Sequence, residues 1–185
     1  TRWLSDWSSD VCSSDLVNEI WKEFDIDSYG AVLLNLGGGL GVNYENPNEH
    51  LIPDFESYFN LFANNLKIPE NVSVHFELGR SIVAQCGKLM TKVLYTKQGV
   101  NKAFVITDAG MTELLRPALY QSIHFIENTT SAGRPYPYDI VGPVCESSDV
   151  FAKDVMLPET SRGDILAIHT CGAYAESMML SYNMR

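Results

Sequence analysis

Positive charge is scarce in this 185-residue sequence: 13 Lys and Arg stand against 23 Asp and Glu, for a net charge of -10. A surface of that sign repels phosphate backbones, so nucleic acid is excluded as an expected partner. Metal-ligand spacing is missing too. Cys12, Cys86, Cys145 and Cys171 form no CxxC or CxxxH pair, and no metal site is signalled. Four thiols without a secretory segment point to a reducing, cytoplasmic compartment. No apolar run approaches the ~20 residues that a membrane helix needs, so no membrane span is expected. An initiating Met is absent, and Ser181–Arg185 continue an apolar stretch without a stop signal. Both ends are expected to be cuts in a longer chain.

What is present is ordinary globular material, 45% hydrophobic and 19% charged, enough for a sizeable core. Residues 1–16 differ from the rest and repeat Ser-Ser-Asp. Trp3, Trp7 and Val11 fall four apart, as on an amphipathic helix. The preferred reading is a non-native, adapter-like segment, set aside from the fold. Residues 17–81 and 82–185 then form two domains.

Ala31–Leu36 is a short apolar run that ends in Gly37-Gly38-Gly39-Leu40-Gly41. It fits a strand buried on both faces of a parallel sheet. Pro53 and Asp54 open a helical pattern in which Phe55, Tyr58, Phe59, Phe62 and Leu66 share one face, and Pro69 stops it. Val72, Val74 and Phe76 alternate with polar residues, giving a second strand that ends in Glu77-Leu78-Gly79-Arg80. This is a βαβ unit, with both loops at the ligand-binding carboxyl end of a parallel sheet. From Ile82 the pattern turns mainly β. Ile82–Thr96 and Ala103–Thr107 are expected to pair antiparallel about Gln98–Asn101. A mostly helical stretch over Thr112–Phe125, interrupted by Pro117, follows, and then strands at Tyr138–Val141 and Gly163–Ile168.

Three glycines after a buried strand let backbone N–H groups approach an anion, with phosphate as the natural guest and a plain tight turn as the bland alternative. Positions 42 and 44 are Val and Tyr, so neither a dinucleotide fingerprint nor a P-loop is present. Glu77 and Arg80 flank a glycine at a strand end, either as ligand-binding groups or as a surface ion pair. Cys145 beside Glu146 could act as an acid–base pair, although a buried inert cysteine is commoner. His50, His75, His124 and His169 are scattered and read as structural. Arg116, Tyr120 and Tyr174 are core or rim residues by default.

In combination these segments say more. LNLGGGLG from Leu34, FELGR from Phe76, DAGMTELLRPALY from Asp108, GPVCESSD from Gly142 and CGAYAESM from Cys171 occur in this order. Together they resemble the fold-type III pyridoxal-phosphate decarboxylases, over nearly everything from residue 31 onward. Within that family the Cys-Glu pair and the RPALY segment are similar to the diaminopimelate-acting branch, whereas ornithine-acting members usually carry Cys-Asp.

The resemblance implies an α/β plus β fold: the C-terminal part of a pyridoxal 5'-phosphate-binding (β/α)8 barrel, then a β-rich, Greek-key or sandwich-like domain. It implies that Gly39, Glu77, Leu78, Gly79, Arg80 and Tyr174 bind the cofactor, with Glu77 against the pyridine nitrogen. Arg80, Arg116, Tyr120, Glu146 and Tyr174 would bind the amino-acid substrate, and Cys145 would return a proton to Cα. The Cys145–Glu146 loop would be donated across a homodimer with shared active sites. Leu78 replaces the family's usual Pro. The lysine that anchors the cofactor would lie outside this chain, so the fragment alone is expected to be inactive. The alternatives are relatives acting on ornithine, arginine or carboxynorspermidine, a non-catalytic homologue, and a barrel enzyme that binds another phosphate.

Overall fold

The computed structural model describes residues 11–185, so Trp3 and Trp7 lie outside the described residues. Two compact units are present. One comprises the described residues up to Val42 together with Ile52–Ile82; the other comprises Asn43–Leu51 and Val83–Arg185.

In the first unit, helix α1 spans Val11–Glu23, so residues 11–16 of the segment set aside form its first turns. Asn18 ties this helix to the end of the next one, donating to the Asn65 carbonyl and accepting from Lys67 N, each at 2.8 Å. Strands β1 (Leu33–Asn35) and β2 (Ser73–His75) pair in parallel, Leu33 opposite Ser73 and Asn35 opposite His75. Helix α2 (Phe55–Asn65) connects them, capped by the Asp54 carboxylate, which accepts from Ser57 N at 2.9 Å. Its buried face sets Tyr58 and Phe62 against Leu78. The Phe76 ring lies 5.1–5.6 Å from the rings of Tyr58, Phe59 and Phe62. Edge-to-face pairs of this kind contribute roughly 0.5–1.5 kcal/mol each beyond their burial.

The βαβ unit thus forms as the hydrophobic periodicity requires, with one correction. Leu33 is 52% exposed, and β1 is not buried on both faces, because among the described residues this sheet has only two strands.

The second unit is built on one mixed, six-stranded sheet. Its strands are β3 (Leu89–Gln98), β4 (Ala103–Thr107), β5 (Ile126–Asn128), β6 (Pro135–Val141), β7 (Val150–Pro158) and β8 (Ile165–Ile168), in the spatial order β5-β8-β3-β4-β6-β7. Only β4 and β6 run parallel. Val93, Val105, Leu114, Ile140, Leu157, Leu166 and Ile168 fill its core. The two edge strands approach each other: Ser131 Oγ donates to the Glu159 carbonyl at 2.7 Å and Asn128 Nδ2 to Thr160 Oγ1 at 3.1 Å. The sheet is therefore nearly closed. Pro135 and Pro137 lie where β6 meets β7 but has not yet met β4, whose pairing begins at Tyr138. A residue without an N–H is tolerated there.

The β3–β4 hairpin forms as expected, closed by Gly99 N donating to Lys102 O at 2.7 Å. Two expectations are corrected. Ile82–Cys86 is not strand: helix α3 (Gly79–Val83) and a 3-10 turn over Ala84–Cys86 occupy it. The turn is held from outside, since Gly172 N donates to the Ala84 carbonyl. The helical stretch over Thr112–Phe125 shrinks to α4 (Arg116–Tyr120), which Pro117 opens instead of interrupting.

Candidate functional site

The candidate residues divide between the two units. Gly39, Glu77, Leu78, Gly79 and Arg80 belong to the first, and Arg116, Tyr120, Cys145, Glu146 and Tyr174 to the second.

In the first unit, parallel pairing of β1 and β2 brings their following loops side by side. Glu77 N donates to the Gly37 carbonyl at 2.6 Å. A side chain at Gly38 would come within 2.9 Å of the Glu77 carbonyl oxygen, so only glycine permits this approach. Gly37 and Gly39 have φ of 69° and 123°, conformations that other residues rarely adopt. Tyr58 of α2 supports the loop, its hydroxyl donating to the Gly38 carbonyl at 3.0 Å. Asn35, the last residue of β1, spans both loops. Its Nδ2 donates to Glu77 Oε1 at 2.7 Å, and its Oδ1 accepts from Gly37 N at 2.8 Å. One loop N–H expected to face an anion is therefore already used. Asn35 was given no role in the sequence, and Tyr58 was read only as part of an apolar helix face; the position of Asn35 just before the glycine run, separated from it by Leu36, was the available signal. Leu78 is buried beneath α2, and Gly79 and Arg80 open α3.

In the second unit, Arg116 heads α4 with three tyrosine rings around its guanidinium. Cζ lies 5.6 Å from the ring centre of Tyr44, 5.4 Å from Tyr120 and 5.2 Å from Tyr174. Arg116 Nε is buried without a hydrogen-bond partner. Tyr44 was missed because it lies in a polar loop without periodicity. Its ring packs edge-on at 4.9 Å against His124. Burial pulls the His124 ring nitrogen down to about 4, and the Arg116 charge acts in the same direction. His124 is neutral at physiological pH, and its Nδ1, 2.9 Å from the His169 carbonyl, carries the proton.

The Cys145–Glu146 loop is organised by Asp149. This buried carboxylate accepts from Met111 N at 2.6 Å and from Val144 N at 2.7 Å. A side chain at Gly142 would run into it. Cys145 is exposed. Glu146 accepts from Ser148 N at 3.3 Å, from Tyr182 OH at 3.1 Å and from Ser147 Oγ at 3.2 Å. These donors hold its carboxyl below the usual range, and the hydrogen bond to Glu146, with that carboxylate's charge, raises the Tyr182 hydroxyl. Asp149 and Tyr182 carried no local sequence signal. Cys171 differs from Cys145, because burial pushes its thiol up to about 11, leaving it protonated and unreactive. Among the described residues no cluster could hold a metal ion, and no helix is long and apolar enough to cross a membrane.

This donor set suits a phosphorylated, nitrogen-containing aromatic ring. The glycine loop and Glu77 are joined by the bond from Glu77 N to the Gly37 carbonyl, the Glu77 carboxylate accepts from Asn35, and the Arg80 guanidinium follows three residues on. A family model described as pyridoxal-dependent decarboxylase, C-terminal sheet domain, matches residues 9–172. The chain is 48% identical over 182 residues to a diaminopimelate decarboxylase of Bacteroides thetaiotaomicron, covering 98% of this chain and 47% of that one. It is 45% identical over 184 residues to that of Helicobacter pylori, covering 98% of this chain and 44% of that one. The crystal structure of diaminopimelate decarboxylase from Helicobacter pylori complexed with L-lysine matches with a TM-score of 0.81 and 44% identity, over 94% of this chain and 42% of that one. The chain spans less than half the length of the curated relatives it matches.

Proposed function

The chain belongs to the pyridoxal-dependent decarboxylases, and from that premise we propose that it forms the C-terminal part of a diaminopimelate decarboxylase, which converts meso-2,6-diaminopimelate to L-lysine and carbon dioxide. The observation that carries the reading is the junction of the glycine loop with Glu77, locked through Asn35 and followed at once by Arg80. Similarity to diaminopimelate decarboxylases over nearly the whole chain supports it. Residues 17–81 would then be the last part of a (β/α)8 barrel, although Asn43–Leu51 belong to the second compact unit and not to the first. Residues 82–185 would be the β-rich domain, built on the single mixed sheet in the order β5-β8-β3-β4-β6-β7 and not on two packed sheets.

Pyridoxal 5'-phosphate, bound at the first loops, would supply an aromatic sink for the electron pair left when carbon dioxide departs. Gly39, Leu78, Gly79 and Arg80 would hold its phosphate and ring through backbone N–H groups and one guanidinium, and the family resemblance gives Tyr174 a cofactor contact as well. Glu77 would face the ring nitrogen and keep it protonated. Arg116, cushioned by Tyr44 and Tyr120, would receive the far carboxylate of the substrate, and the family resemblance assigns Arg80 to substrate binding too. Glu146, ionised, would receive the far ammonium. Cys145 would deliver a proton to Cα once carbon dioxide has left. Its exposure suits a group that serves the neighbouring active site of a homodimer, and a cytoplasmic location is consistent with free thiols.

The test is product analysis with the full-length product of the gene that encodes this chain. L-lysine and carbon dioxide should form from meso-2,6-diaminopimelate in preference to turnover of ornithine, arginine or carboxynorspermidine. Preferential turnover of one of those three overturns the substrate assignment. Failure to bind pyridoxal 5'-phosphate overturns the reading altogether and would revive a non-catalytic homologue.

A further inference from the structure

We propose that Asn35 is a positioning residue for Glu77: its side-chain amide fixes the Glu77 carboxylate in the orientation that meets the cofactor ring. The inference rests on the reading of Glu77 as the partner of the ring nitrogen.

The geometry assigns both ends of the amide. Oδ1 faces an N–H, that of Gly37 at 2.8 Å, and Nδ2 faces a carboxylate oxygen, Glu77 Oε1 at 2.7 Å. Only one orientation of the amide satisfies both neighbours, because an N–H cannot meet an N–H and an oxygen cannot accept from a carboxylate. The two contacts reach different loops, one after β1 and one after β2. Asn35 is opposite His75 in the register, so the cross-strand neighbour of the amide is two residues before Glu77. A backbone bond from Glu77 N to the Gly37 carbonyl runs beside it at 2.6 Å. The backbone bond sets where the Glu77 Cα lies; the amide sets where its carboxylate points.

That division matters because Glu77 is exposed and its side chain has three freely turning bonds. Without a fixed partner the carboxylate would sample many rotamers, and ring binding would have to oppose that entropy. A charged hydrogen bond from a strand-end amide removes most of the freedom before the ring arrives. Asparagine suits the position. Aspartate would accept from Gly37 N but oppose Glu77 with like charge; serine would be too short to span both loops.

The test is made on the full-length protein by titrating pyridoxal 5'-phosphate and following quenching of protein fluorescence, with Asn35→Asp, Asn35→Ser and Glu77→Gln compared singly and with Asn35→Ser combined with Glu77→Gln. Loss of a hydrogen bond to a charged group predicts that Asn35→Asp and Asn35→Ser weaken binding roughly tenfold or more. In Asn35→Asp two carboxyl groups at hydrogen-bond distance cannot both stay ionised, so binding should gain a pH dependence absent in Asn35→Ser, a signature that a merely structural role would not produce. The double variant should be little worse than Glu77→Gln alone, because Asn35 acts through Glu77. If Asn35→Asp does not fold, Asn35→Ser and the double variant carry the test. Binding unchanged in Asn35→Ser while Glu77→Gln is weakened overturns the inference and leaves the Glu77 reading standing. Binding unchanged in Glu77→Gln overturns the Glu77 reading itself and the inference with it.

Discussion

The guanidinium carbon of Arg116 lies 5.6 Å from the centre of the Tyr44 ring, and the same tyrosine meets His124 edge-on. Tyr44 therefore faces a fixed cation and a buried ring at once. A cation over an aromatic face is held by roughly 0.5–2 kcal/mol, depending on how far it is desolvated. Replacing Tyr44 by Leu in the full-length protein should raise KM for diaminopimelate about tenfold and leave kcat within about twofold. Tyr44→Phe, which keeps the ring, should behave as the unsubstituted protein. Steady-state kinetics decides this; an unchanged KM in Tyr44→Leu removes Tyr44 from the support of Arg116.

Asp149 joins the Met111 and Val144 backbones through one buried carboxylate. Asp149→Ala leaves two backbone donors without a partner and should destabilise the second unit by about 3 kcal/mol. The shift in urea midpoint measures it. A midpoint unchanged within error would show that the loop carrying Cys145 is held by other contacts.

His124 should make stability depend on pH. Its folded value of about 4 lies below the ordinary 6.5. The unfolded chain therefore binds the extra proton first as pH falls. Stability is full above about 6.5, declines as pH drops toward 4 and levels off below, by up to about 3 kcal/mol in total. Melting curves across that window, compared with His124→Gln, test the assignment. Equal slopes in the two proteins would place the acid sensitivity elsewhere.

Cys145→Ala should lower kcat roughly a hundredfold, the low end for a lost proton donor, with pyridoxal 5'-phosphate affinity unchanged. Cys171→Ala, at the buried thiol, should leave kcat near its starting value. Equal turnover in Cys145→Ala and the unsubstituted protein would remove Cys145 from the mechanism.

Some of the fold was legible residue by residue. Helix α2 announced itself through Asp54 as cap and an apolar face at three and four residues. The β3–β4 hairpin did so through its Gln98–Asn101 turn. Strand β7 was hidden, because Asp154 takes a φ of 55° within it and the register with β6 shifts opposite that point, which breaks the alternation. Strand β5 has only three residues, too few to show any period. Helix α4 was overestimated because apolar Leu114, Leu115 and Leu119 mimic a longer helix, whereas Gln121 leaves it in the left-handed conformation.

The βαβ order, helix α2, the β3–β4 hairpin, the glycine loop and the succession of motifs were settled by the sequence itself, since each depends on residues within a few positions of one another. Tertiary structure alone decided which groups hold which. Asn35 reaches Glu77 across 42 residues, and Asp149 reaches Met111 across 38. Such partners are chosen by how strands align and loops return, and periodicity along the chain carries no record of that choice.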